Sequence, residues 1–245
     1  EKSKRFLYSI LLLGVIIFIT IIGLIILRIK HKKIAKREQE KQLLLQEIHH
    51  RVKNNFQIVS SLLKLQVKGI KDEKAIEMAI EGQNRVKSMA LIHEKLYQNE
   101  DLQVNFEDYI NTLISNINVL YNKVSIIKEV DVPSGCNLDI DTAVPLGLIL
   151  NELITNAFKY AFFEATDTNT LKIICQKNGV NNVLIVSDNG EGIQNKAVFE
   201  NTESIGLRLV KSLAKQLHGS VEYEYNNGAT FKVFYKETVS RQEAV

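Results

Sequence analysis

The chain contains no tryptophan, and its 245 residues include only two cysteines and two prolines. Cys136 and Cys175 have no metal-ligand neighbour at a recognised spacing, and on the cytoplasmic side expected below they lie in a reducing compartment that disfavours a structural disulfide, so both read as small buried hydrophobes. The only prolines are Pro133 and Pro145, so residues 1–132 hold no proline to break a helix. No GxxxxGK[ST] element occurs, which excludes a P-loop enzyme. Internal repeats and low-complexity tracts are also missing. Charge is absent from one stretch, the 22 residues 6–27 (FLYSILLLGVIIFITIIGLIIL).

Apolar residues make up 45% and charged residues 24%, an ordinary balance for a folded chain that excludes disorder. The net charge of +3 hides an asymmetry. Residues 1–98 carry 19 Lys+Arg against 9 Asp+Glu, whereas residues 99–245 carry 12 against 19. A uniformly basic nucleic-acid binder is therefore excluded. About 20 apolar residues span a bilayer core, so residues 6–27 predict a single transmembrane helix. The run ends in Arg28, Lys30, Lys32 and Lys33 rather than at a small-residue cleavage site, which excludes a signal peptide. The basic flank outweighs Lys2, Lys4 and Arg5, so residues 28–245 are expected on the cytoplasmic side of an inner or plasma membrane, with membrane lipid as a partner. Residues 1–5 read as the end of a truncated upstream segment.

Residues 34–66 and 72–96 have helical periodicity on either side of Gly69-Ile-Lys-Asp72, a hairpin unable to bury its own apolar stripe. Pairing of two copies into a four-helix bundle follows. Beyond residue 101 the pattern becomes mixed α/β: a helix over 106–121, a strand over 124–130, a helix containing 146–161, strands at 171–175 and 183–187, and a helix over 207–217. A final hairpin of 221–225 and 230–235 turns at Asn226-Asn-Gly228.

Three constellations carry chemistry. In Glu47-Ile-His-His-Arg-Val-Lys-Asn-Asn-Phe56, a spacing of 100° per residue puts Leu45, Ile48, Val52, Phe56, Val59 and Leu63 on one stripe. His50 falls almost opposite, in a polar row with Glu47, Asn54, Gln57, Ser61 and Lys64, while His49 lies on the flank. An exposed neutral imidazole is a competent nucleophile, and a carboxylate one turn away can hold its other ring N–H. A solvated face with a stray histidine has the same spacing. In the second constellation Glu152, Asn156, Lys159 and Tyr160 share a helical face, where hard oxygens suit Mg²⁺ and an ammonium suits phosphate. A solvated amphipathic helix also looks like this. In the third, Asp188 ends a strand and can accept from an exocyclic amine, while Gly190 and Gly192 permit close approach; a plain turn fits equally well. Gly206 and Leu207 open a helix whose backbone N–H groups suit phosphate, and Thr230 begins the last strand.

In order, these pieces resemble a known family. The stretch EIHHRVKNNFQIVSSLLKLQ resembles the phosphoacceptor box of sensor histidine kinases, in the subfamily reading His-Arg-x-x-Asn. The segments at 151–160, 186–193, 204–210 and 228–231 resemble the nucleotide motifs of the Bergerat ATP-binding domain shared by histidine kinases, gyrase, Hsp90 and MutL. The resemblance implies that His50 is phosphorylated, that Glu47 is the candidate acid/base and that Asn54 orients water in a phosphatase reaction. It implies that Asn156 coordinates Mg²⁺, that Asp188 reads the adenine amine, that Gly190 and Gly192 form the pocket floor, and that Lys159 and the Gly206–Leu207 region lie near the phosphates with Thr230 near the base; Glu152 and Tyr160 are further candidate nucleotide-binding residues. Arg208 stands where many members have glycine, and Tyr160 where histidine is common. A sister subfamily is marked by Trp-x-Glu, which a chain without tryptophan cannot contain.

The expected organisation is a transmembrane helix (6–27), a basic juxtamembrane segment (28–40), a dimerising phosphotransfer hairpin (41–98), an α/β sandwich ATPase domain (99–238) and a tail (239–245). The expected function is an ATP-dependent, homodimeric sensor histidine kinase that passes its phosphoryl group to a response-regulator aspartate. An ATPase clamp and a catalytically silent receptor with an ATP-binding module are the alternatives.

Overall fold

With no proline to stop it, the chain begins as one helix, α1, over Lys2–Gln66. The computed structural model describes residues 2–96, 103–121, 125–162, 168–178, 181–193, 199–200 and 204–237. It comprises two units, 1–50 and 51–245.

The first unit corrects one expectation. Among the described residues, no helix is long and apolar enough to cross a membrane, so the transmembrane helix over 6–27 is not upheld. The run has no boundary of its own and continues through α1 into charged sequence. Single-pass placement in an inner or plasma membrane, and membrane lipid as a partner, fall with it.

In the second unit α1 ends at Gln66, and Gly69 takes φ +96° in the link. Helix α2 (Glu73–Leu96) starts where the Asp72 carboxylate accepts the N–H groups of Lys74 (2.9 Å) and Ala75 (3.3 Å), leaving fewer orphan donors in its first turn. Lys53 bonds Glu94 at 3.3 Å, and the Phe56 and His93 rings meet at 5.6 Å, which joins the hairpin's two arms.

The rest is a two-layer α/β sandwich. A short pair, β1 (Val104–Asn105) with β3 (Asn137–Leu138), flanks α3 (Phe106–Tyr121). The main sheet has the order β2-β4-β5-β7-β6, formed by β2 (Ile127–Asp131), β4 (Thr170–Asn178), β5 (Asn181–Asp188), β6 (Ser220–Tyr225) and β7 (Ala229–Tyr235). Among the described residues, the β2–β4 pair is parallel and the other pairs of this sheet are antiparallel. Period-two alternation sends Leu171, Ile173 and Cys175 of β4, Leu184 and Val186 of β5, and Phe231 and Val233 of β7 into the core. That face is covered by α3, α4 (Ile140–Asn156) and α5 (Ile205–Gln216). Helix α4 begins six residues before Leu146 and includes Pro145, because Asp139 caps it through the Thr142 N–H at 2.8 Å. Both cysteines are free and buried, with Cys175 Sγ 3.4 Å from Tyr235 Oη.

Candidate functional site

On α1 the polar row deduced from helical spacing faces solvent: Glu47, His50, Asn54, Gln57, Ser61 and Lys64 are all exposed. Val52, Phe56 and Leu63 are half-buried, while Ile48 (52%) and Val59 (43%) remain open. The comparison of His50 with His49 lies outside the described residues, because the His49 side chain is not among them. His93 packs against Phe56, a core role.

The nucleotide constellation is built on α4. This helix is buried nearly throughout, so its polar residues Asn151, Glu152 and Thr155 lie at 3%, 6% and 7% exposure. Buried polar groups need partners. Glu152 finds one in Arg85 of α2: Nε donates to Oε1 and Nη2 to Oε2, both at 2.8 Å, in a bidentate pair. The Thr155 hydroxyl finds none among the described residues. After Asn156 the backbone widens into a π-turn, Ala157–Ala161, the type of insertion that often re-aims residues at functional sites. It turns Lys159 toward α2, where Nζ donates to Glu77 at 2.7 Å and to Glu81 at 2.6 Å. Tyr160 stays 60% exposed.

A cavity of about 350 Å³ opens beside this helix, lined by Glu152, Thr155, Asn156, Tyr160 and Gly206 together with Glu77 and Glu81 of α2. Gly206 lies in the first turn of α5, where a Cβ would come within 2.6 Å of Glu152 Oε2. The Leu207 side chain is buried in the core and does not line the cavity.

Asp188 ends β5 as anticipated. Its Oδ1 accepts from Gly190 N–H (3.0 Å) and Ala229 N–H (3.2 Å), and among the described residues Oδ2 accepts nothing. Burial raises its pKa above 3.8, and the two backbone bonds offset part of the rise. The π-turn and this corner meet at Gly190: a Cβ there would overlap Cα and Cβ of Ala161, so only glycine fits. Gly228, at φ +146°, lies against the Asp188 carbonyl just as closely. Gly192 adjoins Tyr225 and Gly228, and Thr230 pairs with Ser187 across β5 and β7. The chain thus brings Glu152, Asn156, Tyr160 and Gly206 to one cavity and Asp188, Gly190, Gly192 and Thr230 to the adjoining sheet corner.

The ion pairs set the electrostatics. The Lys159 bond holds Glu77 below the usual carboxylate range. The bond to Glu152 raises Arg85. Burial works against the Lys159 ammonium, yet its bonds to Glu77 and Glu81 outweigh it, so its pKa rises. Sequence reading missed Thr155 and the α2 triplet Glu77, Glu81 and Arg85. The triplet's signal was its spacing of four, which lines one helix face.

Comparison with known proteins fits this architecture. Residues 47–121 match the histidine kinase family model HisKA_2, and residues 141–239 match the histidine kinase-, DNA gyrase B- and HSP90-like ATPase family. The sensor histidine kinase PdtaS of Mycolicibacterium smegmatis is 32% identical over 189 residues, which is 74% of this chain and 36% of that protein. PdtaS of Mycobacterium tuberculosis is 33% identical over the same length. The chain therefore spans about a third of the length of these relatives. Among solved structures, the blue-light activated histidine kinase of Erythrobacter litoralis has the same fold, with a TM-score of 0.62 at 18% identity over 82% of this chain and 62% of that one. With both domain models in tandem over more than half its length, the chain belongs to the histidine kinase family.

Proposed function

We propose that this chain binds ATP at the α4–Asp188 site, transfers the γ-phosphoryl group to His50, and passes it to an aspartate of a separate receiver domain. The observation that carries this reading is an imidazole displayed on an exposed polar row, in the His-Arg-x-x-Asn setting, in the same chain as an ATPase-type pocket. Asp188 Oδ2 is the acceptor for the adenine amine, and Gly190 and Gly192 let the backbone around that corner pack closely enough to hold the carboxylate in place. Asn156 and Glu152 offer hard oxygens to Mg²⁺, and the orphaned Thr155 hydroxyl lining the cavity fits a polar ligand there. When bound, the ion supplies charge neutralisation on the phosphates.

Phosphoryl transfer depends on positioning and charge more than on covalent chemistry by the protein. One ring nitrogen of His50 forms the bond to phosphorus as the bond to the ADP oxygen breaks. Glu47, one turn earlier, receives the N–H of the other nitrogen and fixes the tautomer. Asn54, one turn later, orients water in the reverse, dephosphorylating role. A second copy of the chain covers the open apolar residues Ile58, Val59, Leu62 and Leu65 of the hairpin, giving a homodimer.

The test is incubation with γ-labelled ATP and Mg²⁺ followed by acid treatment. Acid-labile label is expected on the wild type and absent from His50→Ala. Undiminished label in that variant would overturn the acceptor assignment, and ATP hydrolysis without label would favour a clamp.

A further inference from the structure

The cation expected to face the phosphates does not face open space. Lys159 Nζ has three N–H donors, and two of them are committed to Glu77 (2.7 Å) and Glu81 (2.6 Å) of α2. Arg85, four residues beyond Glu81, reaches across to Glu152 with both prongs and to Glu81 at 3.4 Å. One face of α2 therefore engages Glu152 of α4 and Lys159 of the turn that follows it. The cavity beneath stays open at about 350 Å³, with the Thr155 hydroxyl unpartnered among the described residues.

Charge makes this contact a competitor for nucleotide. Among the described residues around the cavity, Lys74, Arg85 and Lys159 stand against Glu77, Glu81 and Glu152, so the cations there are already balanced by carboxylates. The Glu77 and Glu81 carboxylates occupy the ammonium as phosphate oxygens would, and they repel an incoming anion of the same sign. Resting on the ATP-site reading above, we propose that α2 is an autoinhibitory latch: Glu77 and Glu81 hold Lys159 from the nucleotide, Arg85 holds Glu152, and nucleotide binding releases α2 by taking both groups.

The latch has a geometric advantage over a flexible tail. Glu77, Glu81 and Arg85 are spaced by four on one helix, so they engage or leave as a unit. Both glutamates line the cavity but neither is assigned a role in holding nucleotide or in the transfer, so removing their charge is read through nucleotide affinity. Glu77 is half-exposed and Lys159 largely buried, which places each pair between a surface and a buried ion pair in strength.

The experiment uses the whole chain and ADP with Mg²⁺ as the probe. Glu77→Gln/Glu81→Gln keeps the shape of both side chains and is expected to bind ADP about tenfold tighter than wild type, equivalent to about 1.4 kcal/mol. In wild-type protein, hydrogen exchange of backbone amides in residues 73–85 is expected to quicken when ADP is added. Affinity within twofold of wild type, or weaker, overturns the latch. Slower exchange of residues 73–85 with ADP also overturns it, because α2 would then be part of the bound state. No binding to either protein overturns the latch and the pocket together. Tighter binding and faster exchange without label on His50 overturns the kinase reading alone.

Discussion

Replacing Asp188 with asparagine changes one atom and tests the base-reading corner directly. Oδ1 accepts from Gly190 and Ala229 through backbone N–H groups, and the amide oxygen of asparagine can accept both bonds in its place. Folding should therefore be little affected. The other atom changes from the acceptor Oδ2 to an NH₂ donor, which meets the donor amine of adenine. A charge-assisted hydrogen bond contributes about 1.5–3 kcal/mol, and leaving the opposed donor unsatisfied in a site this buried costs about 1–3 kcal/mol more. The combined loss is about 3 kcal/mol, or roughly a hundredfold in affinity. Titration calorimetry with ADP and with IDP in the presence of Mg²⁺ gives the result. Asp188→Asn should lose about a hundredfold for ADP and much less for IDP, whose 6-oxo group accepts from the new NH₂. A change below threefold for ADP in a variant that melts like wild type would refute the assignment.

Removing Arg85 strands the buried Glu152 carboxylate. Arg85→Ala should lower stability in urea by about 2 kcal/mol, below the roughly 3–5 kcal/mol of a fully buried pair because Arg85 is partly exposed, and adding Glu152→Gln should recover most of it. Equal stability of Arg85→Ala and wild type would contradict the pairing. Gly190→Ala drives a Cβ into the Ala161 backbone, which cannot rotate aside, so thermal melting should show a loss of about 3 kcal/mol; a neutral result would contradict the close approach. For Asp188, whose folded pKa is raised above 3.8, the sign runs two ways. Its contribution to folding is fully present below 3.8 and is lost as pH rises through the raised value. ADP affinity does the opposite, falling as pH drops through that value because the acceptor is protonated. Calorimetry from pH 7 to pH 4 should show this limb in wild type and not in Asp188→Asn, and identical limbs would refute it.

Much of the ATPase layer was legible because its signals are local. Alternation marked β4, β5 and β7, the Asn226-Asn-Gly228 turn marked the last hairpin, and the helix over Phe106–Tyr121 has the bounds its periodicity implied. The wheel around His50 was legible too, since a single helix fixes which side chains share a face. The π-turn was not. Nothing in Ala157–Ala161 distinguishes it from another α-helical turn, and it is the π-turn that points Lys159 at α2 and lays Ala161 on Gly190. The ion pairs between α2 and α4 were invisible for a different reason. Arg85 and Glu152 are 67 residues apart, and Lys159 and Glu77 are 82 apart, so no local pattern joins them. The apolar run at 6–27 shows the limit of counting residues without an end to the segment: the helix it belongs to runs on to Gln66.

The central claim is that His50 receives the phosphoryl group. The direct measurement is peptide mapping by mass spectrometry at neutral pH after incubation of the chain with ATP and Mg²⁺, with fragmentation that separates the adjacent histidines. The account predicts phosphate on His50 and none on His49. Phosphate on His49, or only on an acid-stable serine or threonine, would contradict it.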